Sequence, residues 1–160
     1  MSKHTMVAAL VAAGLTLGAY GQGVAPQAPG AAAMDAVRQA AATDKRGLVE
    51  KNMQLTGEEA QKFWPLYEEY QKNLGRIVQR QNRAVLDYVK SESMMTDANA
   101  KRIAQEVLAA DAEEQKLRER SFKQMLAALP ARKAVRYMQI ENKLRTFNRY
   151  DIAEQIPLVR

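Results

Sequence analysis

The chain has 160 residues, a net charge of +6 and 47% hydrophobic residues, but only 6% aromatics. That is the size of one domain, and it is apolar enough to fold. No cysteine and a single histidine, His4, exclude a disulfide framework, a thiolate metal site and a cysteine nucleophile, and leave little for a histidine zinc site or catalytic dyad. Few Gly and Pro beside abundant Ala, Gln, Glu, Arg, Lys and Met point to helices.

The first segment has the layout of a secretory signal peptide. Lys3 and His4 give a positive start, and residues 6–17 are apolar apart from Gly14 and Thr16. Ala19 and Gly21 are small residues at the −3 and −1 positions of a cleavage site before Gln22. The apolar run is shorter than the roughly 20 residues a spanning helix needs. Residues 1–21 are thus expected to be a cleaved signal, and with them goes the only histidine. No cysteine follows for lipid attachment. A periplasmic location is the expectation.

Residues 22–33 carry Pro26, Pro29, Gly23 and Gly30 with no charge, and read as a flexible tether. A helical domain is expected over 34–156, with 157–160 as a tail. The first helix, 34–52, has sparse apolar positions and a potential break at Thr43 and Asp44, either of which can cap a new start. The second opens on a capping box, Thr56 with Glu59 three residues on. Phe63, Tyr67, Tyr70, Leu74, Ile77, Gln81, Ala84 and Tyr88 then alternate spacings of four and three, a coiled-coil-like seam. Pro65 should kink or loosen its first turns, because proline lacks an N–H donor.

Residues 91–95 interrupt the pattern, and Thr96 caps a third helix running to about Leu129. That helix is apolar at its ends (Ile103, Val107, Leu108, then Leu117, Phe122, Met125, Leu126) and polar over 111–116. Leu129-Pro130 makes a corner, with Pro130 suited to the first helical position, and a fourth helix is expected from about Ala131 to Gln155. Tyr137, Ile140, Leu144 and Phe147 form its apolar face. Nothing reads as a strand. Two helices of about 50 Å each, at 1.5 Å per residue, imply an elongated hairpin flanked by two shorter helices. Such a shape leaves apolar surface for a second copy or a bound chain.

Leu55-Thr56-Gly57-Glu58-Glu59 resembles the LTxxQ motif of the Spy/CpxP family of small periplasmic helical proteins, with Glu59 in place of Gln. Met95-Thr96-Asp97-Ala98-Asn99 is similar to a decayed second copy, with Asn99 at the Gln position. The signal, the two long central helices and the Leu-Pro corner also resemble the family, over residues 34–155. The resemblance implies an all-α, cradle-shaped homodimer without strands. It also implies either an ATP-independent chaperone that holds unfolding proteins on a basic, partly apolar face, or an envelope-stress accessory that binds a sensor kinase. Metal-sensing relatives use histidines, which the processed chain lacks, so no metal and no cofactor is expected.

The candidate client-binding residues are two basic rows. Arg76, Arg80, Arg83 and Lys90 share one helix face, and Arg132, Arg136 and Lys143 share another, with Arg145 and Arg149 nearby. Facing a concavity, they would attract acidic, partly unfolded chains over long range. As ordinary solvated faces, they would pair with Glu68, Glu69, Asp87 and Glu141. Met94, Met95, Met125 and Met138 are either adaptable contacts or core fillers. Trp64 and Tyr67 either anchor the first helix or line a client site. The acid pairs Glu58-Glu59, Glu68-Glu69 and Glu113-Glu114 diverge by about 100° on a helix, so neither member converges with its neighbour on one ion. No nucleophile–base constellation or phosphate loop is present in the sequence, so no enzymatic activity is expected. Export and the absence of an aromatic-interleaved basic motif argue against nucleic acid as a partner. No stable membrane insertion is expected once the signal is removed.

Overall fold

The computed structural model describes residues 31–158. The expected signal peptide and most of the expected tether lie outside them. The described residues form an all-α fold of four helices: α1 (Ala31–Met53), α2 (Gly57–Ser91), α3 (Asp97–Ala128) and α4 (Ala131–Gln155). A single 3-10 turn, Glu92–Met94, joins α2 to α3. No strand occurs among the described residues, and none of these helices is long and apolar enough to cross a membrane.

α1 begins at Ala31, three residues before the expected start, because Ala31–Ala33 are good helix formers and nothing there breaks the turn. It is two helices joined at Asp44, whose backbone is non-helical (φ −148°, ψ 82°). The Asp44 carboxylate accepts the Gly47 amide at 2.8 Å, so it caps the second half. A Cβ at Gly47 would collide with that carboxylate, so glycine permits the close approach. Gln54 ends α1 in the left-handed region (φ 49°).

α2 opens on Thr56 with both halves of the capping box formed: Glu59 N donates to Thr56 Oγ1 at 3.3 Å, and Thr56 N to Glu59 Oε2 at 2.8 Å. As its expected length requires, α2 continues through Pro65 as a single helix of 35 residues. Pro65 and Gln61, the residue whose carbonyl loses its helical donor, are both exposed, so water can take that bond. Thr96 caps α3 through the Asn99 amide at 3.2 Å, but no return bond from the Asn99 side chain completes a box. α4 starts at Ala131 as expected, with Pro130 at the cap position and its carbonyl accepting from Lys133 N at 2.8 Å.

α2 and α3 pair most extensively. Arg80 bonds Glu106 and Glu113, Gln81 bonds Asp111, and Asp87 accepts from Arg102. Partner numbers fall on α3 as they rise on α2, so the two run antiparallel. The seam holds as spaced: Phe63, Tyr67, Tyr70, Ile77, Ala84 and Tyr88 are buried. α1 packs on α4, and Val49 and Met53 are completely covered. The centre is aromatic. Tyr137 of α4 stands edge-on to Phe63 (centroids 5.1 Å apart), with Tyr67 and Tyr70 at 6.0 and 6.3 Å. Edge-to-face pairs add about 1 kcal/mol each beyond the area they bury. Trp64 anchors α1: the Arg46 guanidinium lies 4.2 Å from its ring centre and bonds Glu68 at 2.6 Å.

The polar middle of α3 is explained by α4. Glu114 is buried, and Arg145 and Arg149 of α4 reach it. The apolar ends are less enclosed than the pattern implies, since Leu108 is 68% exposed and Leu126 41%. No described helix covers that side of α3.

Candidate functional site

Where the α2–α3 pair meets α1 and α4, the packing leaves an open cleft of about 680 Å³. Its apolar wall comes from Leu74, Val78 and Val85 of α2, Val107 of α3, and Leu144, Phe147 and Ile152 of α4. Val78 and Val85 repeat at seven residues beside the buried seam, so α2 carries a second apolar stripe that has no helix packed fully over it. The first half of α1 lines one side of the cleft with Arg38, Ala41 and Ala42.

Every charged side chain lining the cleft is paired. Four cations (Arg38, Lys45, Arg145, Arg149) meet four carboxylates (Asp111, Glu114, Glu141, Asp151), so the lining is neutral overall. Lys45, Gln71 and Glu141 close a ring across three helices: Lys45 donates to Gln71 Oε1 at 2.8 Å and to Glu141 Oε2 at 3.1 Å, and Gln71 donates to Glu141 Oε1 at 2.8 Å. Glu114 accepts from Arg145 Nε and from Gln81 at 3.3 Å, and Arg149 lies at 3.4 Å. Arg149 also holds Asp111 at 2.6 Å. Burial pushes the Glu114 carboxyl up, but the Arg145 bond and charge, with Gln81 and Arg149, outweigh it and hold the group below its ordinary value. Burial, followed by the Glu141 charge, raises all three core tyrosines, Tyr67 to about 12 and Tyr70 and Tyr137 further.

None of the seven basic-row residues lines this cleft. Arg80 is held on α3 by Glu106 and Glu113, and in turn holds the Glu106 carboxyl below its usual range. Arg76 bonds only Asn73, at 3.4 Å, while Arg83 and Lys90 are exposed. Arg136 and Lys143 line a smaller polar notch of about 280 Å³ against Lys51, Asn52 and Gln54 at the end of α1. Arg136 lies 3.4 Å from Asn52 O, close to the carbonyl end of that helix, where a cation is favoured. Arg132 is exposed. Of these residues, Arg80 behaves as a structural ion pair and the rest remain available to solvent. The motif residues are caps and packing: Thr56, Glu59, Thr96 and Asn99 at helix starts, Leu55 against the core, and Met95 half-buried. Met125 is wholly buried, whereas Met94 is 81% exposed at the α2–α3 turn.

The sequence reading missed the cleft and its two buried carboxylates. The seven-residue Val78–Val85 repeat and the polar Gln81 in an apolar seam were the available signals. No three His, Cys, Asp or Glu side chains among the described residues converge as metal ligands. Comparison with known protein families, characterised proteins and solved structures finds no match to this chain.

Proposed function

We propose that this protein is an exported, ATP-independent holdase-type chaperone that binds unfolded or aggregation-prone segments of other envelope proteins, without a catalytic step. The observation that carries the reading is the open cleft, an apolar wall with internally neutralised charges. Such a surface gains free energy by covering nonpolar side chains of any sequence, at roughly 25 cal/mol per Å². Leu86, Val89 and Leu108 add exposed apolar area outside it. The solvent-facing Arg76, Arg83, Arg132, Arg136 and Lys143 supply a positive field that steers acidic chains toward the protein. The resemblance of Leu55–Glu59 and of the helix layout to the Spy/CpxP family supports the same reading, with its homodimer and periplasmic location. A chemically unfolded client, diluted into increasing amounts of the protein without ATP, tests it. Suppressed aggregation at near-stoichiometric ratio is the expected result. Absence of suppression with several clients overturns it, and one dominant partner recovered from envelope extracts would instead mark a sensor-binding accessory.

A further inference from the structure

Asp44 divides α1 into two parts with unequal anchorage. After it, Val49 and Met53 are completely buried. Before it, no side chain from Asp35 to Thr43 is fully buried, and only Val37, Arg38 and Ala41 are partly covered. Yet this first part lines the cleft with Arg38, Ala41 and Ala42. Its firmest tie is the ion pair from Arg38 to Asp151 of α4, with the guanidinium 5.7 Å from the Phe147 ring centre and 5.9 Å from that of Tyr150. The tie is incomplete, because Arg38 Nε is shielded from solvent without an acceptor. The joint is already non-helical, and the Asp44 carboxylate caps the second part independently of the first. Movement at Asp44 therefore breaks one half-buried ion pair and little apolar contact, and leaves the anchored half of α1 in place.

We infer that residues 35–43 form a hinged strap along one side of the cleft, latched by Arg38 and Asp151, which swings out at Asp44 to widen it for an uncharged apolar stretch of a client polypeptide. The inference rests on the holdase reading above and names what that site accepts and how it is regulated. The guest is uncharged because each cation of the lining already holds a carboxylate. A charged guest side chain would enter without a free partner and would leave a lining group unpaired. The latched strap keeps the cleft narrow, so the latch lowers apparent affinity by the fraction of time it is closed. A partly exposed ion pair with cation–π support holds weakly, so its removal is expected to strengthen binding by about three- to tenfold.

The chain has no cysteine, so R38C/D151C in the exported protein carries the only thiols, which a short bis-maleimide can bridge. The probe is a fluorescein-labelled peptide of Leu, Val, Ala and Ser, followed by anisotropy, with helix content by circular dichroism confirming each variant is folded. R38A and unbridged R38C/D151C are expected to bind about three- to tenfold more tightly than the parent, the bridged protein about tenfold more weakly than the unbridged, and the charge swap R38D/D151R between R38A and the parent, because it restores the ion pair without the ring contacts of Arg38. A bridge that leaves affinity unchanged, or an R38A variant that binds no more tightly, overturns the strap. Equal binding of a peptide with two Leu replaced by Glu overturns the uncharged guest. If the parent suppresses aggregation and the bridge has no effect, the strap fails while the holdase reading stands. If no variant binds peptide or client, the holdase reading fails, and amide exchange decides the strap. Faster exchange over 35–43 in R38A supports it, and unchanged protection overturns it.

Discussion

Lys133, in the first turn of α4, donates to Glu59 Oε2, the same oxygen that accepts the Thr56 amide at 2.8 Å. One carboxylate thus caps α2 and ties its start to α4. The Lys133 bond, followed by the Thr56 amide, holds the Glu59 carboxyl below its usual value. Lys133 also donates to Gln54 O at 2.9 Å, so the end of α1, the start of α2 and the start of α4 meet at one ammonium. Glutamine, the residue of the resembled motif, can make the cap but brings no charge to Lys133.

Thr56→Ala should therefore cost about 1 kcal/mol, the ordinary worth of an N-cap. Glu59→Gln should lower the melting temperature by less than Glu59→Ala, because it loses the charge but keeps an acceptor for the Thr56 amide. Thermal melts in low and high salt separate the two effects: added salt should narrow the gap between Glu59→Gln and the parent.

Gln54 adopts φ 49° where α1 ends, a region that costs an ordinary residue about 1 kcal/mol. Its side chain is exposed and its backbone carbonyl makes the contact with Lys133. Gln54→Gly keeps that carbonyl and relieves the backbone. Urea unfolding should show stabilisation by about 0.5 to 1 kcal/mol, with an unchanged m-value.

Glu113 and Glu114 are neighbours in sequence with opposite fates. Glu113 faces Arg80 in solvent, whereas Glu114 is 3% exposed beneath Arg145 and Arg149. Glu114→Gln should cost about 2 kcal/mol by leaving two arginines short of a partner, and Glu113→Gln less than about 1 kcal/mol. The folded pKa of Glu114 is depressed, so its contribution is present above the ordinary value of 4.5 and lost as pH falls through the lower folded value. Stability measured from pH 6 downward should fall in the parent, and fall less steeply in Glu114→Gln.

Tyr67, Tyr70 and Tyr137 have raised pKa values because the core disfavours phenolate, an effect the Glu141 charge reinforces. The neutral forms stabilise the fold below pH 10, and that contribution is lost as pH rises through the higher folded values, about 12 for Tyr67. Absorbance of phenolate should show these three groups ionising only with the loss of helix near pH 12. Phe63→Ala, which removes the ring that Tyr137 abuts, should move that transition to lower pH and cost about 3 to 5 kcal/mol.

Helix number, the capped starts at Thr56 and Thr96, the break at Asp44 and the buried seam of α2 follow from the sequence alone. They depend on contacts within a few turns: a side-chain oxygen three residues from an amide, or apolar groups repeating at helical spacing. Why Pro65 leaves α2 intact does not follow, because the cost of its missing N–H depends on which side of the helix faces water. The fate of each charge was decided by tertiary structure. Arg80 and Arg145 look alike in sequence, yet one bridges to the solvent-accessible Glu106 and Glu113 of α3 and the other reaches a buried carboxylate in the cleft. The cleft arises only when four helices are in place, because its walls come from residues as far apart as Arg38 and Ile152. Local pattern sets what a helix can bury; the partners that arrive from distant sequence set what it leaves open.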